Sequence, residues 1–149
     1  MARRALSLHA RQLLAASLGL IAFLGLTGVA LDQAFRDTAI SNLRERLQND
    51  AYAYLRDFEF TRNSDLIEPP TGQAPDSRFL QPGSGLYAIA RGQTFRWDSP
   101  SVLGRSLPEP ELLKPGEQRF EETPLTFVDD KGVSHEVYRF SSGWAWEQG

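Results

Sequence analysis

Hydrophobic and polar positions divide the chain into three regimes. From Leu13 to Leu31 the sequence reads LLAASLGLIAFLGLTGVAL, 19 residues without a charge. A helix of that length rises about 28 Å, close to the ~30 Å thickness of bilayer hydrocarbon, so this stretch reads as a transmembrane helix. Beyond it the pattern turns amphipathic. Ile40, Leu43, Leu47, Ala51, Tyr54 and Phe58 recur at spacings of three and four, with Arg44, Glu45, Arg46, Gln48, Asn49 and Asp50 between them. No Pro or Gly interrupts the chain from Val29 to Pro69. The pattern therefore predicts one long helix that leaves the membrane and, over residues near 36–60, becomes the first helix of the domain that follows. Its apolar stripe suits packing on a sheet. It also suits pairing with a second copy, through the heptad matches Ile40, Leu43, Leu47 and Tyr54, although Asp50 stands where the next apolar residue belongs.

The third regime begins with turn chemistry: Asn63, Ser64, Pro69, Pro70, Gly72, Pro75, Asp76, Pro82, Gly83 and Gly85. Short strand-like runs come after it. Gly85–Ala90 and Thr94–Trp97 flank Arg91-Gly92 as a hairpin, and Ser99-Pro100 ends it. Glu117–Glu122 and Leu125–Val128 precede the turn Asp129-Asp130-Lys131-Gly132, and Val133–Phe140 alternates as a strand. Trp144-Ala145-Trp146 is expected to return antiparallel after Ser142-Gly143. A helix followed by a meander of four to six strands is an α+β arrangement with an antiparallel sheet. The stop at Gly149, just after an apparent strand, reads as a truncation.

Charge sharpens the picture. Of 16 cationic residues, Arg3, Arg4 and Arg11 precede the apolar run, while all 19 acids lie at or after Asp32. The basic leader, residues 1–12, suits the cytoplasmic side of a membrane, which places residues 32–149 across it. A cleaved signal peptide is the rival, because Gly28-Val29-Ala30 offers small residues for cleavage after Ala30. The acidic exported part argues against nucleic acid as a partner, since phosphate binding needs a basic surface. The chain has no Cys, which excludes disulfides, thiolate metal sites and a Cys nucleophile.

Catalytic motifs are missing from the sequence. Gly83-Ser84-Gly85-Leu86-Tyr87-Ala88 matches G-x-G-x-x-A, but it follows Pro82 and opens a strand, so no helix receives a pyrophosphate. There is no P-loop, H-E-x-x-H or G-x-S-x-G, and His135 reads as a sheet residue. Carboxylates remain. Eight acids lie between Glu109 and Glu136, against Lys114, Arg119 and Lys131 as the only cations. Hard cations require several oxygens in one place, so Glu117, Glu121, Glu122, Asp129, Asp130 and Glu136 are candidate ligands for a divalent cation or ferric iron. The same run also reads as an ordinary solvated acidic face.

A basic leader, one span, an amphipathic helix and a small α+β domain resemble the front end of a bacterial two-component sensor histidine kinase, and more specifically the PhoQ-like sensors. The resemblance rests on Arg11–Leu18 entering the membrane, Asp32–Phe35 leaving it and Leu43–Leu47 beyond. It continues in Ser84–Ala88, Trp97-x-Ser99-x-Ser101-x-Leu103-Gly104, Leu107-Pro108, Gly116-Glu117-x-x-Phe120, Val137-Tyr138-Arg139 and Trp144-x-Trp146. It implies a PAS-like periplasmic sensor domain over residues 32–149 in the inner membrane, working as a homodimer. It also implies a second span, a HAMP linker, a phosphorylated His and an ATP- and Mg-binding kinase domain in a further C-terminal part, with phosphotransfer to a response regulator. Related sensors respond to divalent cations, ferric iron, acid or cationic peptides. The Glu-x-x-Glu used by some iron-sensing relatives is not present here. The alternative function is a periplasmic ligand- or metal-binding protein released by signal peptidase.

Overall fold

The computed structural model describes residues 7–60, 66–67, 74–93 and 95–145. Asn63, Ser64, Pro69, Pro70, Gly72, Thr94 and Trp146, which figure in the sequence reading, lie outside the described residues. By its contacts the chain divides into two compact units, Met1–Asn42 and Leu43–Gly149.

One helix, α1, runs from Leu8 to Asp57. Ser7 caps its start: the hydroxyl accepts from the Ala10 amide at 3.3 Å, which satisfies one of the orphan donors of the first turn. In the first unit every side chain from Arg11 to Ala39 is exposed, the apolar ones included. Leu13 is 70 % exposed and Phe23 65 %. A helix apolar all round has no core of its own to face, and this one is long and apolar enough to cross a membrane. Thr27 and Thr38 return their hydroxyls to the carbonyls of Phe23 and Ala34, both at 2.8 Å, so neither presents a bare polar group to its surroundings.

In the second unit the same helix supplies a core. Tyr54 and Phe58, at its end, are buried with Phe79 and Leu86, and Leu47, Ala74, Ala88, Ala90 and Trp97 pack around them. The rings meet edge to face, Tyr54 with Phe79 at 4.8 Å and Phe58 with Trp97 at 5.1 Å, a geometry that aromatic quadrupoles favour. The apolar stripe is thus used inside the domain by Leu47, Tyr54 and Phe58.

Among the described residues six strands form three antiparallel two-stranded ladders: β1 (Glu59–Phe60) with β2 (Leu66–Ile67), β3 (Ile89–Arg91) with β4 (Arg96–Asp98), and β5 (Gln118–Val128) with β6 (Ser134–Ser142). The α+β class holds. The expected single meander is instead three separate pairs among the described residues.

Two expected strands fuse into one. Apart from Glu117, which precedes it, the runs Glu117–Glu122 and Leu125–Val128 belong to the single strand β5, whose register with β6 shifts between Glu121 and Leu125. Pro124 explains the irregularity, since it has no amide to give the ladder. Trp144 and Ala145 do not return as a strand. Just past β6, Gly143 stays against the approach to β5: its amide donates to the Glu117 carbonyl at 2.8 Å and its carbonyl accepts from the Gly116 amide at 2.9 Å.

Between β4 and β5 a short 3-10 turn, Pro100–Val102, follows Ser99. Ser99 and Ser101 are the most deeply buried polar residues, at 2 % and 0 % exposure. Their hydroxyls lie 2.8 Å apart, and that of Ser99 accepts from the Ala88 amide at 3.0 Å. Each buried hydroxyl therefore has a partner, as burial demands.

Candidate functional site

The acidic residues singled out in the sequence lie on the β5–β6 hairpin and its approaches, where each can be followed to its partner. Glu121 faces Arg139 across the ladder, and its Oε1 accepts from Nη2 at 2.6 Å and Nε at 3.0 Å. The third arm of that guanidinium donates to the Pro108 carbonyl at 3.0 Å. Glu117 accepts from the Lys114 amide at 3.2 Å and from Arg119 at 3.2 Å. Arg119 also reaches Glu111 at 2.6 Å, and these two carboxylates, Glu111 foremost, raise its affinity for its proton.

The hairpin turn is organised by Asp129, whose side chain is only 6 % exposed. Its Oδ1 accepts from the amides of Lys131 at 3.0 Å and Val133 at 2.8 Å, and its Oδ2 lies 2.9 Å from His135 Nε2. An Asp that ties down amides two and four residues ahead is a side-chain substitute for a backbone turn. The His135 hydrogen bond, then the Val133 amide, hold its carboxyl down at about 2. Gly132, at φ +79°, completes the turn in a conformation few other residues adopt. The neighbouring Asp130 is exposed and pairs with Arg105 at 3.4 Å. Glu122 and Glu136 are exposed.

Four of the six sequence-selected carboxylates therefore face a guanidinium, an imidazole or backbone amides. No group of three or more His, Asp or Glu side chains suited to hold a metal ion occurs among the described residues. A cation arriving at the hairpin meets Glu122 and Glu136 directly. To gain the others it must displace Arg119, Arg139, Arg105 or the His135 ring. His135 stacks on Phe127 at 5.2 Å between ring centres, and Phe127 meets Tyr87 edge to face at 5.9 Å, so His135 works as a member of the sheet.

A second charged cluster escaped the sequence reading. Asp76 caps the 3-10 turn Ser77–Leu80 through the Arg78 amide at 2.9 Å. It also receives the Arg78 guanidinium as a fork, at 2.7 and 3.2 Å. Arg46 of α1 adds a third contact to the same carboxylate at 3.3 Å. These bonds, the side chain of Arg78 foremost, hold Asp76 well below the ordinary carboxylate range. One turn along α1, Asp50 has a carboxylate oxygen, Oδ2, buried without a hydrogen-bond partner. Desolvation is the main cause that pushes its affinity for a proton up. The signal available in the sequence was the acid interrupting an apolar stripe, between Leu47 and Tyr54.

Compared with family models, curated proteins and solved structures, the chain matches none.

Proposed function

We propose that this chain is the anchored signal-input region of a bacterial two-component histidine kinase, similar to the PhoQ-like sensors, with residues 32–149 in the periplasm and the N-terminus in the cytoplasm. One observation carries the reading. The helix whose first part is apolar and exposed on all sides is the same helix that furnishes Leu47 and Tyr54 to the core of the second unit. A signal that alters the packing of that core acts directly on an element that continues into the span. A free binding protein has no use for such continuity. The paired strands, the buried helix end and the α+β order support a PAS-like sensor domain. The domain works as a homodimer on this reading, and the acidic hairpin makes a cation, or another envelope signal that competes with its ion pairs, the class of input.

Transmission requires that the input bind two states of the domain with different affinity. The test is the gene beyond codon 149 and the activity of its product. The reading expects a second span, a HAMP linker, an ATP-binding kinase region and a phosphorylatable His, and labelled ATP should label the purified full-length protein on His. An open reading frame that encodes no kinase, or a full-length product that takes up no label, would refute it.

A further inference from the structure

Among the described residues, Asp50 is the one carboxylate with a buried oxygen that has no hydrogen-bond partner. It sits on the inward face of α1, flanked along the helix by Leu47 and by the buried Tyr54. The charged groups that face it are Arg46 from its own helix and Asp76 and Arg78 from the segment around the Ser77–Leu80 turn. Arg78 and Arg46 both give hydrogen bonds to Asp76 and none to the buried oxygen, although the charge of each favours the ionised form. A buried acceptor left without a donor is costly, and a negative charge held near a second one adds to that cost.

We propose that Asp50 is a proton-operated catch between α1 and the segment 74–81: neutral, it lets the segment close on the helix, and ionised, it loosens that contact. Protonation takes one proton from solvent onto the Asp50 carboxyl. It removes a charge whose buried oxygen has no hydrogen-bond donor and the repulsion from Asp76, and it gives the buried site a donor as well as an acceptor.

The sign follows from linkage. Asp50 binds its proton more readily in the folded chain than an ordinary Asp does, so this contribution to stability is present at low pH and is lost as pH rises through the folded value. Asp76 is displaced the opposite way and stays ionised throughout that window, so it does not mask the effect. The inference concerns this chain alone and holds whether or not a kinase follows it.

The experiment is hydrogen exchange by mass spectrometry on the full chain in phosphatidylcholine nanodiscs, from the ordinary Asp range at about pH 4 up to about pH 7.5, corrected for the intrinsic pH dependence of exchange. In the wild type, peptides covering 46–58 and 74–81 should gain protection by about threefold or more on acidification. Asp50→Asn, which keeps the shape and removes the titration, should hold the acid-level protection at every pH. His135→Gln removes the imidazole of the hairpin and should leave the wild-type response intact. A flat wild-type response overturns the proposal. So does an unchanged response in Asp50→Asn, or its loss in His135→Gln.

Discussion

Single side chains carry much of the local order in the second unit, and Asp129 shows how. Its two oxygens serve three donors across a turn of the chain, so its removal strands two backbone amides as well as an imidazole. Asp129→Ala should lower the melting temperature of the domain by several degrees at neutral pH, read by circular dichroism. The pH dependence has a definite sign. The folded carboxyl, held at about 2, lies below its unfolded value, so its stabilisation is complete above the ordinary Asp range and fades as pH falls toward 2. The gap between wild type and variant should therefore narrow on acidification. A gap independent of pH would show that the carboxylate charge plays no part. Surface pairs such as Arg119 with Glu111 carry no comparable expectation, since exposed ion pairs contribute little.

At the scale of elements, close approach of backbone matters more than charge. A Cβ added at Gly143 would collide with the Lys114 carbonyl and lie within 2.9 Å of that of Leu113, and both obstacles are main chain that cannot swing aside. Gly143→Ala should destabilise the second unit by about 1–3 kcal/mol, the usual cost of overpacking, measured by urea unfolding. Gly132→Ala, at a site with nothing near its Cβ, suffers only the strain of its positive φ.

Elements also set what the sequence could reveal. The long helix, the Asp129–Gly132 turn and the β3–β4 hairpin were legible, because a 3.6-residue period, a Gly-bearing turn and alternation are local signals, although the first hairpin strand is Ile89–Arg91 and not the expected Gly85–Ala90. The joining of two runs into β5 was hidden by Pro124, which reads as a break but here sits at an irregularity in the ladder. Trp144 does not return as a strand but meets Tyr52 of α1 edge to face at 5.5 Å, a contact distant in sequence. At the hairpin, the acidic excess was legible as composition. Its engagement by Arg139 and Arg105 was not, because both arginines lie outside the densest acidic run or across the ladder from it. Asp50 was visible only as an anomaly in a stripe; its meaning needed Asp76 and Arg78 beside it.

For the molecule as a whole, the first unit matters because its helix is long and apolar enough to cross a membrane. Its apolar residues from Leu13 to Ala39 are all exposed, and leaving them in water forfeits the favourable transfer of about 0.3–0.6 kcal/mol that each Leu, Ile, Phe or Val gains at the centre of a membrane helix. The uncharged run, 19 residues long, exceeds the 7–15 apolar residues usual in a signal peptide. The bond after Ala30 lies inside an unbroken helix, where an extended cleavage site is not presented. The chain should accordingly stay in the membrane fraction after alkaline carbonate extraction, and N-terminal sequencing should find residues ahead of Leu31 still attached. Phe23→Arg places a charge near the middle of the run at a cost of about 2.5–3.5 kcal/mol and should shift a measurable share of the protein out of that fraction. A mature chain beginning at Leu31, recovered in the soluble periplasm, would instead make residues 1–30 a signal peptide and the remainder a released binding protein.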